Sequence, residues 1–289
     1  MERPGHAGTL SVRSLHVLLR SHAWLALGAG VQVLFTAALV PFVELSWAVP
    51  LCAALGTFSA YGSMRLMKVG DAASGSEHLS WFQRHRAPMM WLCVLSGVMA
   101  AVLLLLFVPG AISLTLVLLP AVALYILPNR SGRHRGLRYV PFLKLFLIAA
   151  VWSGVVVAFP FMARGALQHP LFLPLLLERA LFVFAITLPF DIRDLHIDPH
   201  GERTLPRAIG ERISRVIALL ALTASLVVLL LVCATQGMMS GFLGACVGYA
   251  VTAVLVLRSR PGHDEVHYAF LLDGTLVLVP CCFLLGSML

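Results

Sequence analysis

An all-helical, polytopic membrane protein is the fold that this 289-residue sequence predicts, on three observations. The chain is 60% hydrophobic and only 12% charged, and its mean hydropathy is +0.92. Its apolar residues are gathered into runs of about 20 residues, the length of helix that spans a hydrocarbon core. Its basic residues fall almost entirely into alternate connections between those runs, the asymmetry that orients membrane helices.

Nine transmembrane helices are expected, at residues 22–43, 46–66, 88–108, 111–128, 140–160, 171–190, 214–235, 239–257 and 266–288. The first follows Arg3, Arg13 and Arg20, and the Pro41-Phe42-Val43-Glu44 connection separates it from the second. Arg65, Lys68, Arg84 and Arg86 lie between the second and third, which ends at Val108-Pro109-Gly110. Arg130, Arg133, Arg135, Arg138 and Lys144 mark the long loop between the fourth and fifth. The sixth runs into Arg193, Arg203, Arg207, Arg212 and Arg215; Gln236-Gly237 separates the seventh and eighth, and Arg258 and Arg260 follow the eighth. Arg164 alone breaks the pattern. The positive-inside rule therefore puts the N-terminus and the long loops in the cytoplasm and the C-terminus outside.

The formal charge of +8 has a membrane explanation in this distribution, so no nucleic-acid partner is expected. Cys52, Cys93, Cys233, Cys246, Cys281 and Cys282 lie inside predicted spans without a metal-type spacing and read as packing residues. The first apolar run is long enough to be a span itself, so no cleaved signal peptide is expected. Residues 1–289 read as one helical domain.

The segment FDIRDLHIDPHG, residues 190–201, departs from this apolar background. Asp191, Asp194 and Asp198 are spaced i, i+3, i+7, which on a continued helix places them within about 60° of one another. Such crowded carboxylates either take up protons or recruit a cation, and carboxylate oxygens suit Mg²⁺ that also borrows phosphate oxygens from a substrate. The three acids thus read as metal ligands and as a diphosphate grip; the plainer alternative is a solvated loop whose acids balance Arg193, Arg203 and Arg207. Arg203 and Arg207 are also placed to meet phosphate oxygens.

DIRDLHID, followed by GERTLPRAIG, resembles the second aspartate motif, DxxDxxxD, of the UbiA superfamily of intramembrane prenyltransferases. The resemblance implies a UbiA-like bundle of nine helices in two pseudo-repeats, with catalytic and metal-binding roles for Asp191, Asp194 and Asp198. It implies magnesium as cofactor, a polyprenyl diphosphate as donor, and transfer of the prenyl group to an acceptor not identified by the sequence. Tyr125, near the end of the fourth span, and Arg130 resemble the family's tyrosine and basic residue before the central loop, and Lys144 begins the fifth span on the same side.

The family's first motif, NDxxDxxxD, belongs at the end of the second span, where this chain reads SAYGSMRLMKVGDAASGSEH. With Tyr61 in the asparagine position, Arg65 and Val69 occupy acidic ones. Either Arg65 and Lys68 neutralise the diphosphate in place of a metal, or the chain binds an isoprenoid or another lipid without turning it over. A secondary transporter is a further alternative, although transporters place their acids nearer the bilayer midplane. Two deeper ionisable sites are expected to be structural: Asp273 at about 12 Å and Arg179 at about 18 Å from the cytoplasmic ends of their helices, close enough in depth to pair.

Overall fold

The computed structural model describes residues 17–40, 45–68, 77–126, 142–196, 204–262 and 266–289. Every apolar stretch singled out above carries a helix. In chain order these are α1 (Ala23–Leu39), α2 (Ala48–Lys68), the short amphipathic α3 (Glu77–Arg84), α4 (Arg86–Phe107) and α5 (Ile112–Ile126). Then come α6 (Leu143–Ala163), α7 (Phe172–Arg193), the one-turn α8 (Leu205–Ile209), α9 (Glu211–Gln236), α10 (Met239–Arg258) and α11 (His267–Ser287). No strand occurs among the described residues.

Six of them, α4, α6, α7, α9, α10 and α11, are long and apolar enough to cross a membrane, and the chain is an integral membrane protein. The apolar α1 is shorter, and α2 is diluted by Thr57, Ser59, Ser63, Arg65 and Lys68. Much of the apolar surface of α4, including Trp91, Leu95, Leu105 and Leu106, faces outward, as a lipid-facing helix requires.

Helix ends follow local chemistry. Glu211 opens α9 and accepts from Arg215 one turn on (2.9 Å). Gly237 closes it in the left-handed region at φ 69°, its N–H returning to the Cys233 carbonyl. Helices α10 and α11 pack closely: a Cβ on Gly244 would overlap the Cys282 carbonyl, so only glycine permits that approach. Both α6 and α11 contain a π-wound turn, at Gly154–Ala158 and His267–Leu272.

The centre of the bundle is held by a buried polar network. Glu178 and Arg179 on α7 are both 0% exposed and form an ion pair of 3.1 Å. Arg179 donates to the side-chain oxygen of Gln32 on α1, and its guanidinium lies 4.7 Å from the centre of the Phe35 ring. Gln32 in turn donates to the Leu276 carbonyl of α11 at 2.6 Å. The Tyr249 hydroxyl of α10 donates to Glu178 at 2.7 Å, and Ser225 of α9 reaches the same carboxylate oxygen at 3.1 Å. One turn along α1, Thr36 donates to the Val156 carbonyl in the π turn of α6 (2.7 Å).

The expected Arg179–Asp273 pairing is corrected here. Arg179 lies about 10 Å along α7 from Phe172 and about 21 Å from Arg193, counting 1.5 Å per residue. Asp273, near the start of α11, interacts with Arg193 at the other end of α7.

Replacing Arg179 with Met should strand Glu178 and lower stability by roughly 3–5 kcal/mol. Adding Glu178→Leu should recover most of that loss, because an apolar pair leaves no uncompensated charge. Denaturant unfolding of the single and double variants in detergent micelles measures both.

Candidate functional site

The basic and acidic ends of several helices meet at one end of the bundle, and the apolar run of α7 carries the first of them. Asp191 is buried at 2% exposure because α7 continues past its last apolar turn. Its partner is Lys144, in the first turn of α6, with Nζ 2.6 Å from Oδ1 and the lysine itself 27% exposed. The short distance and the burial make this a charge-assisted hydrogen bond screened by protein on one side.

Asp194 is differently placed. The α-helix stops at Arg193, and Asp194–His196 tighten into a 3-10 turn. Asp191 thus lies on the α-helix and Asp194 in the 3-10 turn that follows it, rather than both on one continued α-helix. Asp194 instead receives a two-point contact from the preceding Arg193, Nε to Oδ1 at 2.6 Å and Nη2 to Oδ2 at 3.1 Å. Arg193 is itself caged: its guanidinium carbon lies 5.2 Å from the centres of both the Phe190 and Tyr268 rings. Its carbonyl accepts from the Gly262 N–H (3.4 Å), and Tyr268 donates to the Arg260 carbonyl at 2.9 Å. Cage and acid together tie the end of α7 to the start of α11.

Arg207 donates through Nη2 to the Leu195 carbonyl (2.9 Å), satisfying an acceptor left over where the helix ends. On α2, Arg65 donates to His22 Nε2 (3.3 Å), and the His22 ring packs 5.8 Å from that of Tyr61. Tyr61 accepts from the indole N–H of Trp152 on α6 at 3.0 Å. Asp191, Asp194, Arg65, Tyr61, Lys144 and Arg207 thus belong to one end of the bundle, and the cation that meets Asp191 is Lys144. Asp198, Arg203 and Arg130 lie outside the described residues, as do the side chains of Lys68 and Tyr125.

Sequence reasoning did not single out Trp152, Tyr268, or Arg193 as the hub of the second pair. The signal for Arg193 was its position inside the motif, between two acids and three residues after Phe190. Trp152 carries no signal in an apolar run, where a tryptophan reads as packing.

Asp191 and Asp194 are each occupied by a cation of the chain, and no group of three His, Cys, Asp or Glu side chains suited to a metal gathers among the described residues. Two carboxylates so engaged do not by themselves fit a divalent ion. At this end of the bundle Lys144 and Arg193 are thus each held by an acid. Comparison with protein-family models, with curated proteins and with solved structures finds no match to this chain.

A double-mutant cycle of Lys144→Met and Asp191→Asn should give a coupling of about 0.5–3 kcal/mol. The same cycle on the more exposed Arg215–Glu211 pair should give only about 0.3–0.5 kcal/mol. Unfolding in micelles reads both, and equal couplings would show that Asp191 is more solvated than its burial indicates.

Proposed function

We propose that this protein is an intramembrane prenyltransferase that moves a polyprenyl group from its diphosphate to an acceptor, in a nine-helix bundle of UbiA-like arrangement with two pseudo-repeats. The charged end of the bundle is the cytoplasmic one on this reading, with the N-terminus on the same side and the C-terminus outside. The observation that carries the proposal is the buried Asp191, held by Lys144 next to the Arg193–Asp194 pair, at the charged end of the bundle.

The allylic carbon–oxygen bond breaks with its electron pair leaving on the diphosphate. Negative charge therefore builds on the departing oxygens as the bond lengthens. Lys144, Arg193 and Arg65 are cations held at this end by acidic or imidazole partners, and their donors stabilise that charge as it builds. The carbocation is attacked by the acceptor, which then loses a proton. The tail lies among apolar side chains. Magnesium and its ligand Asp198 belong to the same proposal through the resemblance, and no step is derived through them.

A second reading, an isoprenoid- or lipid-binding protein without turnover, is favoured by one observation. The two-point Arg193–Asp194 contact uses both oxygens of the acid that the motif would offer a metal.

Geranyl diphosphate binding to the purified protein in lipid nanodiscs, across a magnesium titration, tests the assignment. Wild type is expected to bind without magnesium and more tightly with it. Lys144→Ala should weaken binding about tenfold, or about 1.4 kcal/mol; Arg65→Ala should weaken it and make it more dependent on magnesium; and Asp194→Asn should abolish release of inorganic diphosphate. Binding that none of the variants changes sinks the assignment, and variant-sensitive binding without diphosphate release favours the second reading.

A further inference from the structure

Between α2 and α6 the bundle is not closed by close helix packing. The two helices meet at the Phe159–Ala163 end of α6, away from the charged residues. There Val49 and Ala53 of α2 are buried, as are Phe159 and Phe161. Nearer the charged end, the face of α2 between its contacts with α1 and α4 carries Gly56, Thr57 and Ala60, all small and none fully buried. A Cβ placed on Gly56 would meet nothing within 4 Å. Open space therefore lies beside the middle of α2, where a packed bundle would hold a side chain.

A hydrogen bond spans the gap above this space. Trp152, 6% exposed, extends from α6 and donates its indole N–H to the Tyr61 hydroxyl of α2 at 3.0 Å. Tyr61 is itself steadied by the His22 ring, which receives Arg65. Counted along α6 at 1.5 Å per residue, Trp152 lies about 12 Å below Lys144. Gly56 lies about 7 Å farther along α2 than Tyr61 by the same count. The order from the charged end inward is thus Lys144 and Asp191, then the aromatic bridge, then the open space.

Resting on the prenyl-transfer reading, we propose that the Trp152–Tyr61 bridge sets the length of the isoprenoid tail, admitting short donors and closing the deeper space by Gly56 to longer ones. With about 1.5 Å per carbon–carbon bond and four bonds per isoprene unit, the zigzag of an extended unit covers about 5 Å. A tail of two or three units anchored at Lys144 ends at the bridge. A fourth unit has to displace a buried indole that is hydrogen-bonded across two helices. The selective element is bulk: the hydrogen bond holds the indole across the gap, and the ring fills it.

Equilibrium binding of geranyl, farnesyl and geranylgeranyl diphosphates to the protein in nanodiscs, with inorganic diphosphate as headgroup control, tests this. Wild type is expected to lose at least about tenfold in affinity from farnesyl to geranylgeranyl. Trp152→Ala should remove that loss, Trp152→Phe should keep most of it, and Trp152→Leu should fall between them. Adding Gly56→Leu to Trp152→Ala should restore discrimination by filling the space behind the bridge, an effect that a merely structural tryptophan would not produce. Should Trp152→Ala fail to fold, the Leu and Phe variants and a Trp152→Leu/Gly56→Leu pair carry the same comparison. If wild type binds all three lengths equally, tails leave sideways into lipid and the inference is overturned while prenyl binding stands. An unchanged preference in the Trp152 variants also overturns it. If no prenyl diphosphate binds better than inorganic diphosphate, the transferase reading itself fails.

Discussion

The ion pair of Glu178 and Arg179 constrains everything else in the bundle. Both side chains are fully buried, and no water in the surrounding lipid can solvate them. Coulomb attraction alone does not offset the desolvation of two such groups; the remaining lone pairs and protons must also be met. Partners come from four other helices: Gln32 on α1, Ser225 on α9, Tyr249 on α10 and, through Gln32, the Leu276 carbonyl on α11, while Glu178 Oε2 and Arg179 Nη2 have only each other, as the ion pair, and Arg179 Nε makes no hydrogen bond among the described residues. Each of these helices would slide almost freely against its neighbours if apolar contact were the only attraction, because lipid tails offer a comparable environment. The network removes that freedom, since shifting one helix by a turn strands a charge. Register at the core thereby fixes which residues reach the charged end.

What the sequence made legible follows from the same physics. Apolar runs bounded by basic residues located the helices within a few residues, because bilayer thickness and the cost of unpaired backbone leave little choice. The sixth run was drawn to end at 190, yet α7 continues to Arg193, since a polar residue at a helix end loses no hydrogen bond by staying helical. The partner of Arg179 was not legible. Adjacent residues on a helix point about 100° apart, which argues against Glu178, and uncharged Gln32 and Tyr249 give no warning inside apolar runs. Asp273 failed as the partner because depth was counted along each helix separately, whereas the π turn and the caged Arg193 hold the start of α11 against the end of α7. The motif was legible as a cluster of acids, but its geometry was not: the spacing assumes an α-helix, and the chain tightens into a 3-10 turn at Asp194.

On the prenyl-transfer reading proposed above, the charged end accounts for basic residues in the place of a first acidic motif. Two acids of the motif have a cation each, Lys144 for Asp191 and Arg193 for Asp194, and Arg65 has His22. Opposing charges held this way cancel at long range while leaving individual donors able to turn toward an incoming anion. An anion carrying several negative charges competes for these donors more strongly than a single carboxylate does. On that reading the acids keep the cations in place when no ligand is bound, which is a different task from holding a metal and requires no matching set of acids on α2.

The gap beside α2 is the complement of the tight packing elsewhere. Where α10 meets α11, glycines let two backbones approach until the contact is closed. On α2, Gly56 faces no such partner among the described residues, and α6 has attachments elsewhere: Phe146 against Phe184 on α7, and Val156 against Thr36 on α1. Small residues opposite a displaced helix leave space rather than contact. A space of that kind in a bilayer fills with lipid or ligand unless a side chain crosses it, and a hydrogen bond between the two aromatic residues Tyr61 and Trp152 crosses it. Their hydrogen bond needs both ends polar and both bodies apolar, which tyrosine and tryptophan alone among the large side chains supply. On the prenyl-transfer reading, the bridge is the feature of this wall placed to decide what length of apolar chain enters.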